Sequence, residues 1–99
     1  MDHKEHLLTC LAEECTEVGQ RVAKALRFGL AEIQAGQDLT NRERIAEEWR
    51  DLYAVANILI EEGILPVHLM SIDQAQVDRK RAKIERFMTI SRREGVLHD

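Results

Sequence analysis

The stretch Arg44-Ile45-Ala46-Glu47-Glu48-Trp49-Arg50-Asp51-Leu52-Tyr53-Ala54-Val55 places an acid where a helix normally keeps apolar side chains. At about 100° per residue, Ile45, Leu52, Val55, Ala56, Leu59 and Ile60 form one apolar arc. Glu48 falls inside that arc, and Asp51, one turn on, sits at its edge. Removing a carboxylate from water costs several kcal/mol unless something compensates it. A helix built this way asks for a cation on its core side, and the rest of the chain has to supply the surroundings for one.

The first helical pattern runs without interruption from about His3 to Phe28, where Leu7, Leu8, Leu11, Cys15, Val18, Val22, Ala25 and Leu26 recur at three- and four-residue steps. Gly29 is a natural stop, with Lys24 and Arg27 in the last turn, where the helix dipole favours cations. Leu30 to Leu39 reads as a connection, in which Leu30-Ala31-Glu32-Ile33 is expected to form a turn of helix that packs back. Thr40 and Glu43 make a capping box, so the second helix should run from there to Glu62, with Gly63 ending it before Ile64-Leu65-Pro66. A third helix is expected from Ser71 or Asp73 to Arg92 or Arg93, with Ser71 and Asp73 competing for the cap. Gly95 to Asp99 reads as a frayed tail.

No strand pattern competes, so the expected fold is all-α, a single domain over residues 1–99. Three helices of about 20 residues enclose only a thin core in so small a domain. The apolar arcs of the first two are broader than one neighbour covers. A helical bundle completed by self-association, as a homodimer or a dimer of dimers, follows from this.

The charge balance narrows the partners. A net charge of -4 with no dominating basic face disfavours nucleic acid. Cys10 and Cys15 lack metal-ligand spacing and point about 140° apart on a helix, which suits free thiols in a reducing cytoplasm. Residues Met1 to His6 show neither the basic nor the apolar region of a signal peptide, and no apolar run is long enough for a membrane.

Two helices each present an acidic pair, Glu14-x-x-Glu17 and Glu48-x-x-Asp51. Side by side they would bring four carboxylates to the edge of one core, where only a cation relieves the repulsion. Hard divalent ions take oxygen ligands, and Mg²⁺ sits about 2.1 Å from them while keeping waters. No Cys or His cluster offers a zinc site. The competing reading is a pair of solvated, ion-paired helix faces, with Glu17 held by Arg21 and Glu47 by Arg50. Glu48 within an apolar arc is hard to reconcile with it. Trp49 and Tyr53 are four apart and could stack a base, although large aromatics more often pack in a core or interface.

Glu-x-x-Glu on one helix followed by Glu-x-x-Asp on the next resembles the MazG-like all-α nucleoside triphosphate pyrophosphohydrolases. The likeness rests on Glu14 and Glu17, the helix end Lys24-Ala25-Leu26-Arg27-Phe28-Gly29, and Glu48-Trp49-Arg50-Asp51-Leu52. It covers about residues 8 to 64, the third helix matching only in type, and the chain is short for the family. The resemblance implies cleavage of a nucleoside or deoxynucleoside triphosphate to the monophosphate and pyrophosphate. It implies that Glu14, Glu17, Glu48 and Asp51 hold Mg²⁺, or Mn²⁺ in its place, and act in catalysis. Lys24 and Arg27, with Lys80 or Lys83 from the third helix, would then meet phosphate charge. The alternative is a catalytically silent dimerisation or regulatory module of the same fold.

Overall fold

A computed structural model describes residues 1–99. The chain is all-helical, with α1 (His3–Phe28), α2 (Asn41–Glu61), a 3-10 turn over Val67–Met70, and α3 (Gln74–Arg93). It forms two compact units, Met1–Val67 and His68–Asp99.

Both helices of the first unit begin at reciprocal caps. Asp2 accepts from the Glu5 N–H at 2.7 Å while the Glu5 carboxylate accepts from the Asp2 N–H at 3.1 Å. At α2 the Glu43 N–H donates to the Thr40 hydroxyl, and the Glu43 carboxylate accepts from the Thr40 N–H at 3.0 Å and from its hydroxyl at 2.9 Å. These bonds hold the Glu43 carboxyl below its usual pKa, the Thr40 backbone donor contributing most and the hydroxyl next. At the far end of α2, the Ile64 N–H reaches the Leu59 carbonyl and the Gly63 N–H the Ile60 carbonyl. That geometry requires the positive φ of 72° at Gly63.

α1 and α2 pack as an antiparallel hairpin. His3 Nε2 meets Glu62 Oε2 at 2.7 Å at the open end, and the Asn41 amide donates to the Gly29 carbonyl at 2.8 Å at the closed end. Leu7, Leu11, Val18 and Ala25 of α1 turn inward with Ile45, Leu52, Val55, Ala56 and Leu59 of α2. Only Ala25, Ala56 and Leu59 are buried among these, and Leu59 alone is completely enclosed.

The segment between the helices is not the expected helical turn. Leu30 and Ala31 lie in a plain turn, and Ile33 forms an isolated antiparallel bridge with Thr40. The Asn41 N–H donates to the Glu32 carbonyl and the Arg42 N–H to the Leu30 carbonyl, both at 3.0 Å. Asn41 explains the departure. It is nearly fully buried, and its amide binds the Gly29 carbonyl and Glu32 Oε1, so the connection spends its polar groups on the start of α2.

The apolar arcs are wider than the hairpin contact. Leu8, Val22 and Leu26 on α1, and Trp49 and Tyr53 on α2, are exposed. Stepping 100° per residue, they sit clockwise of the buried row on one helix and clockwise on its antiparallel neighbour. Antiparallel pairing brings both flanks to the same side of the hairpin. Glu14, Glu17 and Glu48 lie on the other side.

In the second unit Asp73 is the cap of α3, accepting from the Gln76 N–H at 2.8 Å, and Ser71 lies outside the helix. Val96 and Leu97 donate back to the Ser91 carbonyl, and Arg92 grips both carboxylate oxygens of Asp99 at 2.8–3.0 Å. Ile84, Phe87, Met88 and Ile90 stay exposed along α3. No helix is long and apolar enough to cross a membrane.

Candidate functional site

Glu14 and Glu17 are three residues apart on α1 and project from one face. The hairpin register sets Glu48 of α2 opposite them. One carboxylate oxygen from each of the three lies within 4.8 Å of the other two. Glu14 and Glu48 are half-buried, and Glu17 faces solvent. At an effective dielectric near 20, unit charges 4.8 Å apart repel by about 3 kcal/mol. Such a cluster needs a counter-charge.

Asp51 does not join this group. It lies exposed on α2, one turn beyond Glu48. Its placement follows from phase, since it sits farther from the buried row than Glu48 does.

One counter-charge comes from α1 itself. Arg21 Nε stands 3.6 Å from Glu48 Oε1, with side chains 21% and 20% exposed. That separation is an ion pair and too long for a hydrogen bond. Glu14 Oε2 and Arg21 Nη1 are both shielded from solvent and have no hydrogen-bond partner. Buried polar atoms left unsatisfied are rare in folded proteins and call for a reason. The competing reading of the sequence paired Arg21 with Glu17, its neighbour one turn back. The structure pairs it across the hairpin instead. Glu47 does pair with Arg50, at 3.0 Å, on the solvent side.

The other candidates are dispersed. Lys24 is half-buried, one turn on from Arg21. Arg27 is exposed, with its guanidinium 5.0 Å from the centroid of the Phe28 ring. Lys80 and Lys83 stand exposed on α3 in the second unit. Cys10 and Cys15 are free. Trp49 and Tyr53 lie on the side of the hairpin away from the carboxylates and are exposed there, outside the core.

The donor set suits a hard divalent ion. All three groups are carboxylates, and Mg²⁺ bonds of about 2.1 Å place ligand oxygens about 3 to 4 Å apart. Rotamer changes alone can close a 4.8 Å cluster to that spacing. The Glu14 oxygen without a partner is one that a cation held there would satisfy. No family model, curated protein or solved structure matches the chain. The functional reading therefore rests on these residues and their chemistry.

Proposed function

We propose that the chain is a Mg²⁺-dependent nucleoside triphosphate pyrophosphohydrolase of MazG-like helical architecture, working in the cytoplasm as a homodimer or a dimer of dimers. The observation that carries this reading is the convergence of Glu14, Glu17 and Glu48, from two helices, on one point of the hairpin. Glu14 and Glu48 would hold the cation from the half-buried side and Glu17 from the solvent side, with Asp51 exposed one turn beyond them. When bound, Mg²⁺, or Mn²⁺ in its place, would supply Lewis acidity toward the phosphate oxygens and a more acidic water. Glu17, being exposed, orients the attacking water and takes its proton. The water oxygen bonds to the α-phosphorus, the bond to the bridging oxygen breaks, and pyrophosphate leaves with that electron pair. Lys24 and Arg27, on the same helix as Glu14 and Glu17, meet the phosphate charge.

The exposed apolar side of the hairpin supports self-association. Leu8, Val22, Trp49 and Tyr53 lie on that side and are each exposed in the single chain. Burying that side against a second copy leaves the carboxylate side open to substrate.

A second reading has its own observation. Arg21 already gives the carboxylates a cation, so the hairpin could be a silent dimerisation or regulatory module. Two measurements separate the readings. Pyrophosphate release from a panel of nucleoside and deoxynucleoside triphosphates should depend on Mg²⁺. Calorimetric Mg²⁺ binding should disappear in Glu48→Gln. Fresh protein that neither turns over any member of the panel nor binds Mg²⁺ establishes the module instead.

A further inference from the structure

Arg21 is the charged group that the reaction scheme leaves without a task. It stands four residues after Glu17 and seven after Glu14, so one face of α1 carries all three. Its side chain is only 21% exposed, and its Nε lies 3.6 Å from Glu48 Oε1. Nη1 of the same guanidinium is shielded and unpartnered, as is Glu14 Oε2. An arginine that owned this position would use its fork for two-bond contacts with the carboxylates. Here it is near enough to neutralise and makes no hydrogen bond to any of them.

We propose that Arg21 is an exchangeable internal counter-ion, which neutralises the Glu14–Glu17–Glu48 cluster until a divalent cation displaces it. Three carboxylates and one guanidinium leave a net charge of about -2 when all are ionised. A divalent ion brings that total to zero only by binding the same Glu48 oxygen that Arg21 faces at 3.6 Å; two like charges that close repel, so the two compete for Glu48. On displacement the guanidinium keeps its charge and swings on its flexible stem toward solvent, where phosphate oxygens are its natural partners. Arg21 is thus a positioning residue: it lowers the affinity of the empty site for cations and keeps the hairpin from repelling itself apart. The competition rests on the divalent-ion reading above, whereas the counter-ion role in metal-free protein does not.

The test uses the full chain after chelator treatment, with Mg²⁺ alone as the probe. Arg21→Gln should bind Mg²⁺ about tenfold more tightly than wild type by calorimetry, the size expected on removing about 1.4 kcal/mol of like-charge opposition. A residue with a purely structural role would weaken binding when replaced. In chelator the same variant should melt at a lower temperature, and Arg21→Gln combined with Glu48→Gln should recover most of the loss. Arg21→Lys keeps the charge and should bind Mg²⁺ within about twofold of wild type, which keeps the test decisive if the glutamine variant fails to fold. Equal or weaker Mg²⁺ binding by Arg21→Gln, or weakened binding by Arg21→Lys with the charge retained, overturns the competition and leaves the enzyme reading standing. Absence of Mg²⁺ binding in every protein overturns both. An unchanged melting temperature of Arg21→Gln in chelator overturns the counter-ion role by itself.

Discussion

Replacing Glu48 by Gln in metal-free protein gives an unusual prediction, because the charge removed is pulled and pushed at once. Arg21 attracts it across 3.6 Å, worth about 4 to 5 kcal/mol at an effective dielectric near 20. Glu14, at no more than 4.8 Å, repels it by about 3 kcal/mol or more on the same scale. Glu17 adds a further repulsion that its exposure screens to roughly 1 kcal/mol. The contributions nearly cancel, so Glu48→Gln should stay within about 1 kcal/mol of wild type in chelator. For a chain of this size that is a change in melting temperature of less than about 5 °C. An ordinary half-buried ion pair behaves differently, since removing one partner strands the other charge, and fully buried pairs lose about 3–5 kcal/mol. Thermal or urea melts in chelator and in millimolar Mg²⁺ read the result. With Mg²⁺ the wild type should gain stability and Glu48→Gln should not, because only a ligand bound to the native state raises the transition. A loss above about 2 kcal/mol in chelator, with no separate effect of Mg²⁺, would show that Glu48 is simply the partner of Arg21.

Three further outcomes test the surrounding structure. Leu59→Ala, at the one fully enclosed side chain, should cost about 2–4 kcal/mol in chemical denaturation, and a change under about 1 kcal/mol would place the core elsewhere. Glu43 has a carboxyl pKa lowered from the ordinary 4.5 by the Thr40 donors, so its contribution is complete above 4.5 and fades as pH falls through the lowered native value. Glu43→Gln should flatten that acid limb of a stability-versus-pH curve, and an unchanged limb would mean the cap bonds do not persist in solution. Trp49 is 55% exposed, so its emission should shift to the red on dilution if the apolar side of the hairpin is covered by a second copy. Emission independent of concentration, together with a monomer mass in sedimentation, would remove self-association.

Local signals carried most of the helix plan. The step pattern from His3 to Phe28, the stop at Gly29 and the Thr40–Glu43 box all coincide with observed features. The Asp2–Glu5 box was equally legible as an acid three residues before another at a helix start, although the pattern reading began at His3. The connection was not legible, because its fold depends on Asn41 reaching back twelve positions to the Gly29 carbonyl. Nothing in the spacing of Leu30 to Ile33 announces that bond. The arrangement of the acids shows the same division. Glu14, Glu17 and the inward phase of Glu48 follow from helical spacing, and the structure brings these three together. The pairing of Arg21 depends on the axial register between α1 and α2, which the connection sets and the helix patterns do not. Asp51 is a matter of degree: the wheel puts it at the edge of the arc, and the hairpin leaves that edge in solvent.

Under the proposed function, water attacks the α-phosphorus at the Glu14–Glu17–Glu48 cluster. The most direct measurement runs the reaction with Mg²⁺ in water enriched in heavy oxygen and follows the products by phosphorus NMR. The label should appear in the nucleoside monophosphate, pyrophosphate should leave unlabelled, and Glu17→Gln and Glu48→Gln should form neither product. Label in pyrophosphate or in released orthophosphate, or turnover that survives the loss of Glu48, would contradict the proposed function.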